Sequence, residues 1–372
     1  MRRCTERLPC SLGPLSHTPS LCRVMNSSVR NDSAAEPCMV EPQSPVLSVF
    51  LCLVFLGGLL LNCFSLWLFW FRVHHWTPGI ILQFHLALSD ALMTPSAPFM
   101  VFYLSLGSHW PFGQFLCQMK VFLLSTHLDG SIFFLTLISM QRYVTVVLYN
   151  QRSRLKNRAF VCKLCCGVWL LLLLKGLMFF LMFKTSQAES REHGQNHTLC
   201  LSVFQMELME SYIIGFVLLV PCFLLPFGVS LACYSLLACS VSKVNSSTPK
   251  GRSVKAKSLR MITICVVIFT LCFIPLEVSR TLGVVFQKVF RDRCSLLQSV
   301  ETAYYVSWIL AGANCCLDPL IYCYGSRKFT KAFRSSMRKI GVQLEEQSPT
   351  ENELDTTSQS MTRVANSTAP PP

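Results

Sequence analysis

The chain has 372 residues, of which 52% are hydrophobic and only 14% are charged. A soluble domain carries about 25% charged residues, so too few charges are present to cover a surface that faces water. The net charge of +14 could suit a protein that binds nucleic acid, but such a protein needs a polar domain to present the charge. The apolar residues instead form long runs, so we expect a membrane protein with no nucleic-acid partner.

Seven of these apolar runs are long enough to cross a bilayer, which takes about 20 residues in a helix. Lipid offers no partner for backbone polar groups, so runs of this length must be helical. We therefore predict an all-α fold, a seven-transmembrane helix bundle. The runs cover residues 47–71, 78–105, 115–146, 159–183, 208–240, 256–286 and 299–323.

Basic residues alternate between the connecting segments. The segments after the third, fifth and seventh runs are rich in Lys and Arg and contain no acid, whereas the others are neutral or mixed. The positive-inside rule then places the basic segments and the C-terminus in the cytoplasm and the N-terminus outside. Glycosylation sequons that begin at Asn26, Asn31 and Asn196 agree with this orientation.

The chain beyond the seventh run divides into two parts. Phe329, Phe333 and Met337 recur every four residues in a basic segment, which predicts a short amphipathic helix on the inner membrane surface; a solvated tail is the alternative. Residues 340–372 have the polar, Ser- and Thr-rich composition of a disordered, phosphorylated tail. The predicted parts are an extracellular N-terminal tail (1–44), the seven-helix domain (45–325), the amphipathic helix (326–339) and the cytoplasmic tail (340–372).

The polar residues, aromatic residues and prolines inside the runs are the strongest indication of the class of protein. A polar group costs energy in lipid, so one that lies inside a span usually has a function. These residues form an ordered set: Gly58 and Asn62, then Asp90, then Gln141-Arg142-Tyr143, Trp169, Phe223, Pro226, Tyr234, Phe269, Phe273, Pro275, Asn314, Asp318, Pro319 and Tyr322. Over about residues 45–340 this set resembles the rhodopsin-like (class A) G protein-coupled receptors. Phe273 and Asp318 further resemble the branch of purinergic nucleotide, lysophospholipid, hydroxycarboxylic-acid and oxoeicosanoid receptors.

The resemblance implies a receptor and not an enzyme. It implies a multi-pass plasma-membrane protein that binds an extracellular ligand and activates heterotrimeric G proteins, with arrestin and receptor kinases acting on the C-terminal tail. We find neither the inverted repeats of a transporter nor the motifs of a membrane hydrolase.

The same resemblance implies two disulfide bonds. Cys117 at the start of the third run pairs with Cys200 in the family. A second pairing, Cys38 with Cys294, resembles the one in nucleotide-type receptors. Cys4, Cys10 and Cys22 could instead take the place of Cys38 as the partner of Cys294. The remaining cysteines lie mostly inside apolar runs, where cysteine is usually a small packing residue.

Four polar positions match those that hold a sodium ion in many relatives: Asp90, Ser131, Asn314 and Asp318. Two carboxylates buried together need a cation or a proton between them, and oxygen atoms suit a hard cation. A water-bridged network without sodium is the alternative, so an allosteric sodium ion is the one cofactor we expect.

The family's switch residues are also present. Arg142 is expected to contact the G protein, with Tyr234 and Tyr322 closing behind it. Gln141 stands where the family usually has an acid, and an amide holds the arginine less tightly than a carboxylate, which predicts a looser resting state with basal signalling. The expected activation switch beneath the ligand comprises Ile132, Pro226, Phe269, Phe273 and the kinking Pro275.

The ligand site is the part of the prediction with most alternatives. Leu124 stands where aminergic relatives carry Asp, so a small amine is not expected. The predicted contacts are Arg280, Lys120, Tyr103, Tyr305 and Trp308, where aromatic lining with a few cations suits an amphiphilic anion such as a lysophospholipid, an eicosanoid or another carboxylate.

Three alternatives to this ligand prediction remain open. Glu277 could neutralise Arg280 from one helical turn away, and Asp129 could pair with Lys175, so these cations could be structural. A nucleotide is the second candidate ligand. A non-signalling decoy receptor is the alternative that Gln141 suggests.

Overall fold

The computed structural model describes residues 38, 41–93, 95–148, 152–189, 196–205, 213–214, 217–243, 249–290 and 292–339. The description below concerns the compact unit that begins at Cys38. The predictions for Asn26, Asn31, most of the N-terminal tail and the C-terminal tail from residue 340 lie outside the described residues.

The described residues form a bundle of seven spans, as predicted. Six helices are each long and apolar enough to cross a membrane. The remaining span is the second in chain order, and it is divided into two shorter helices. The spans are 1, Pro45–Phe71; 2, Pro78–Ala91 with Ala97–Ser105; 3, Gly113–Val146; 4, Arg158–Met182; 5, Val217–Ser242; 6, Pro249–Val267, Ile268–Phe273 and Ile274–Val289; and 7, Cys294–Gly312 with Asn314–Gly325. A short 3-10 turn, Arg154–Lys156, precedes span 4.

Prolines explain the irregular places in these spans. Pro95 lies in the break of span 2. Proline interrupts a helix because it has no N–H to donate and because its ring clashes with the carbonyl one turn before it. In spans 5 and 6 the turns Val220–Leu224 and Ile268–Phe273 are π-helical; the first contains Pro221, and the second ends two residues before Pro275. The predicted irregularity at Pro275 is therefore present as a widened turn.

Span 3 is the central helix of the bundle. The most apolar stretch of span 3 is 67% buried, whereas those of spans 1 and 4 are 22% and 17% buried. Most side chains of spans 1 and 4 therefore face outward, as helices at the lipid boundary do. Most candidate functional side chains on span 3 are consequently enclosed by other parts of the bundle.

Two disulfide bonds and a hairpin cover one end of the bundle. Cys117 is bonded to Cys200, and Cys38 is bonded to Cys294, so both predicted pairings are confirmed. The strands Ser186–Glu189 and Asn196–Leu199 pair antiparallel, with Ser186 opposite Leu199. This hairpin ends directly before Cys200, so the covalent link to span 3 fixes its position over the helices.

The amphipathic helix predicted after the last span is present as Arg327–Lys339. Its Phe329 is buried and packs 4.8 Å from the ring of Phe69 and 5.7 Å from that of Tyr322. Phe333 packs edge-on to Phe64 at 5.7 Å. The apolar face of this helix therefore joins the ends of spans 1 and 7.

Candidate ligand site and buried polar network

A cavity of about 80 Å³ lies between spans 3, 4, 6 and 7 and the segment that follows the hairpin. Most of its wall is apolar, and the segment after the hairpin contributes Leu201. Other apolar wall residues are Val121, Leu128, Ile132, Phe179, Phe273 and Leu276. Such a wall suits the hydrocarbon or aromatic body of a small molecule.

Two ion pairs interrupt this apolar wall. Lys175 Nζ of span 4 lies 2.5 Å from Asp129 Oδ2 of span 3, and both side chains are 12% exposed. Arg280 Nη2 lies 2.8 Å from Glu277 Oε2, one helical turn away in span 6. Both structural alternatives considered from the sequence are therefore present, and all four groups line the cavity.

The five predicted ligand residues divide between this cavity and the packing beside it. Arg280 and Trp308 line the cavity. Tyr305 lines a second, smaller cavity, and its hydroxyl oxygen lies 3.3 Å from that of Tyr103. Tyr103 and Lys120 line neither cavity among the described residues.

Lys120 supports the covering loop. Its ammonium donates to the carbonyl of Cys200 at 3.0 Å. It also lies 4.6 Å from the ring centre of Trp110 and 5.0 Å from that of Tyr103, within the range of a cation–π interaction. The charge of Lys120 is thus enclosed by the loop and the aromatic rings, and its contact with a ligand stays a prediction.

Glu301 is a residue that sequence reasoning missed. It is buried in span 7, and the backbone N–H of Val203 donates to its Oε2 at 2.6 Å. Leu201 of the same segment receives a hydrogen bond from Tyr305 at 3.4 Å. An acid inside an apolar run indicates a functional or structural role. Its partner here is a backbone N–H, and no sequence motif identifies such a partner.

The predicted sodium residues meet in the core below the cavity. Ser131 donates to Asp90 Oδ1 at 3.0 Å, and Tyr322 donates to Asp90 Oδ2 at 3.4 Å. The carboxylates of Asp90 and Asp318 interact electrostatically, while neither oxygen of Asp318 reaches a hydrogen-bond partner among the described residues. These unfilled oxygen atoms fit a small hard cation, or a proton and water.

His127 belongs to the same network. Its Nδ1 lies 3.3 Å from the carbonyl of Ser89 and 3.7 Å from Asp90 Oδ1, and the residue is buried. His127 therefore packs in the core and also lies against the carboxylate cluster.

The activation residues connect the cavity to this core. Ile132 and Phe273 form part of the cavity wall. Phe269 lies 5.7 Å from Phe273 between ring centres, and the carbonyl of Pro226 accepts a hydrogen bond from Thr136 at 3.3 Å. Two residues of the predicted switch therefore lie where a molecule in the cavity would touch them.

The inner end of span 3 carries the predicted G-protein contact. Arg142 donates through Nη2 to the carbonyl of Gly325 at the end of span 7, and Tyr234 of span 5 is buried. Gln141 is buried, and its Oε1 has no hydrogen bond with a described residue. Among the described residues, the guanidinium of Arg142 therefore makes its hydrogen bond to span 7 and makes none to Gln141.

The fold and these positions define a seven-span membrane receptor. The sequence matches the family "7 transmembrane receptor (rhodopsin family)" over residues 61–322, and the chain belongs to this family. It is a multi-pass membrane receptor and not an enzyme, and its family implies coupling to a G protein and recognition of a small-molecule ligand.

The chain is similar to receptors of two kinds. It is 34% identical over 295 residues to purinoceptor 4 of Rattus norvegicus, with 79% of each chain covered. It is 33% identical over 298 residues to purinoceptor 2 of Homo sapiens, covering 80% of this chain and 77% of that one. It is 31% identical over 322 residues to lysophosphatidic acid receptor 4 of Mus musculus, covering 83% and 84%.

Proposed function

We propose that the chain is a plasma-membrane receptor that binds an extracellular anionic lipid or carboxylate and activates heterotrimeric G proteins. The observation that carries the proposal is Arg280 at the wall of an otherwise apolar cavity, with Lys175 on the same wall. Arginine suits the planar recognition of carboxylate or phosphate, and the apolar wall suits the body of an amphiphile.

The orientation in this proposal follows from charge and redox chemistry. Disulfide bonds persist in oxidising compartments, and both bonds lie at the end of the bundle that carries the hairpin and the start of span 7. The basic segments at the opposite end favour the cytoplasm. Both observations support an extracellular N-terminus and a cytoplasmic C-terminus.

A purinergic nucleotide is the second candidate ligand. The names of the two purinoceptors favour it, while lysophosphatidic acid receptor 4 favours a lysophospholipid, at nearly equal identity. A nucleotide carries several negative charges on its phosphates. Both cavity cations already face a carboxylate, Glu277 or Asp129, which supports a ligand with fewer negative charges.

The proposal includes further partners. A sodium ion held by Asp90, Ser131, Asn314 and Asp318 would supply positive charge between the two carboxylates and stabilise the resting state. Arrestin and receptor kinases would act on the C-terminal tail. A non-signalling decoy is the alternative suggested by Gln141, and G-protein turnover measured beside arrestin recruitment separates the two.

A reporter screen in cells tests the ligand class. Nucleotides, lysophospholipids, eicosanoids and small carboxylates are applied to the full chain and to the variants Arg280→Gln and Lys288→Gln. Lys288 is the matched control, because it is an exposed cation in the same helix outside the cavity. We expect an anionic hit that Arg280→Gln weakens and Lys288→Gln does not.

The contrary outcomes are clear. Absence of any anionic hit would sink the ligand proposal and leave the receptor family intact. A hit that both variants weaken equally would show that Arg280 acts through the overall positive charge of the protein.

A further inference from the structure

The charges that the described residues bring to the main cavity are balanced, and this balance bears on which ligands fit there. Among the described residues, two cations and two acids line the cavity in two ion pairs. The Lys175–Asp129 pair is 12% exposed on each side, and Arg280 and Glu277 are 29% and 15% exposed. Removing one member of a buried pair leaves an uncompensated charge, which is strongly unfavourable.

The two pairs belong to one cavity. All four charged groups line it, Asp129 from span 3, Lys175 from span 4, and Glu277 and Arg280 from span 6. A headgroup bound in this cavity therefore meets charged groups of both signs.

A ligand that carried only an anion would disturb this balance. When Arg280 turns toward such an anion, Glu277 loses its counterion inside a mostly apolar cavity. A ligand that also carried an ammonium group would restore it, because its anion would bind Arg280 while its ammonium binds Glu277. Charge-assisted hydrogen bonds would then form at both ends of the headgroup.

A place for a hydrocarbon chain lies beside the charged wall. The second cavity, of about 20 Å³, shares Trp308 with the main cavity. Its lining is otherwise almost wholly apolar and includes Leu51, Met93, Met100, Leu124 and Ile309. An alkyl chain that extends past Trp308 would replace no polar contact there.

We infer that the ligand is a zwitterionic single-chain amphiphile, with a phosphate or carboxylate at Arg280, an ammonium group at Glu277 and its chain directed to the second cavity. The inference rests on the proposed function and adds the ammonium group to it. Glu277 is thereby the residue that selects zwitterions over simple anions.

Three lipids that differ only in the headgroup test this inference. They are oleoyl lysophosphatidylethanolamine, its N-acetylated derivative, which keeps the phosphate but has no ammonium charge, and oleoyl lysophosphatidic acid. G-protein activation is titrated with each lipid in membranes that contain the full chain. We expect the zwitterion to be more potent than either anion by roughly tenfold or more.

The variants assign the preference to its residue. Glu277→Gln should remove the preference for the zwitterion over its N-acetylated form, whereas Lys288→Gln should retain it, with surface amounts measured for each. Persistence of the preference in Glu277→Gln would overturn the assignment. The comparison of the three lipids uses the unaltered chain. It can therefore overturn the inference even if a variant fails to reach the cell surface.

The remaining outcomes separate the two proposals. If the unaltered chain responds equally or better to either anion, the zwitterion inference is wrong and the anionic ligand stands. If none of the three lipids acts, the inference is also wrong, and the screen of other anions decides the proposed function by itself.

Discussion

Gly176 of span 4 offers a direct test of how closely spans 3 and 4 pack beside the candidate ligand site. A Cβ atom added to this buried glycine would lie 2.8 Å from two ring carbons of Phe122 and 3.1 Å from Thr126 Oγ1. Contacts shorter than 3.0 Å are not tolerated, so Gly176→Ala must displace the ring or the helix. Its neighbour Lys175 makes the ion pair to span 3.

The expected cost follows from comparison with a second glycine of the same helix. Gly167 is exposed, and nothing lies within 4 Å of a Cβ added there. Gly167→Ala therefore shows only the helix-propensity gain of alanine, which is about 1 kcal/mol. Gly176→Ala has the same gain and an overpacking cost of about 1–3 kcal/mol, so the two variants should differ by this overpacking cost.

Thermal unfolding of the purified chain in detergent measures this difference. We expect Gly176→Ala to melt on the order of a few degrees below Gly167→Ala, with a matching loss of ligand response because the Lys175–Asp129 pair moves. Equal melting temperatures for the two variants would refute the close approach of spans 3 and 4 at Gly176.

Three further predictions concern charge and covalent links. Gln141→Asp should lower ligand-independent G-protein activation by up to roughly tenfold, because a carboxylate holds the adjacent arginine more strongly than an amide; unchanged basal activity, with Gln141→Asn as control, would contradict this. Asp129→Asn should lower the free energy of unfolding by about 3 kcal/mol, because Lys175 loses its counterion. The double variant Asp129→Asn with Lys175→Gln should recover most of that loss in a thermal melt, and no recovery would mean that the pair is not coupled. Replacing both Cys38 and Cys294 by Ser should cost about 2–4 kcal/mol of stability and lower the surface amount; an unchanged melting temperature would show that this disulfide contributes nothing.

The spans could be predicted from the sequence because a long apolar run has few structures available in lipid. Span 1 was expected over 47–71 and is Pro45–Phe71. The break in span 2 was not predicted although Pro95 marks it, because a membrane helix can continue through proline when its neighbours satisfy the freed groups. The hairpin after span 4 also escaped prediction, since its short strands lack a long alternating pattern.

The candidate site was predictable where contacts are local along the chain. Glu277 and Arg280 are one turn apart, so their pairing follows from helical geometry. The position of Lys120 depended on a loop carbonyl 80 residues away, and sequence spacing says nothing about that approach. Glu301 was missed for the same reason.

The loop over the cavity is fastened unequally on its two sides. Toward span 3 it is held by the covalent bond between Cys200 and Cys117, whereas toward span 7 it is held by hydrogen bonds to Glu301 and Tyr305. Hydrogen bonds open and close thermally, and a disulfide does not. We therefore expect this segment to separate from span 7 more readily than from span 3, so the side of Glu301 is where we expect a molecule to reach the cavity.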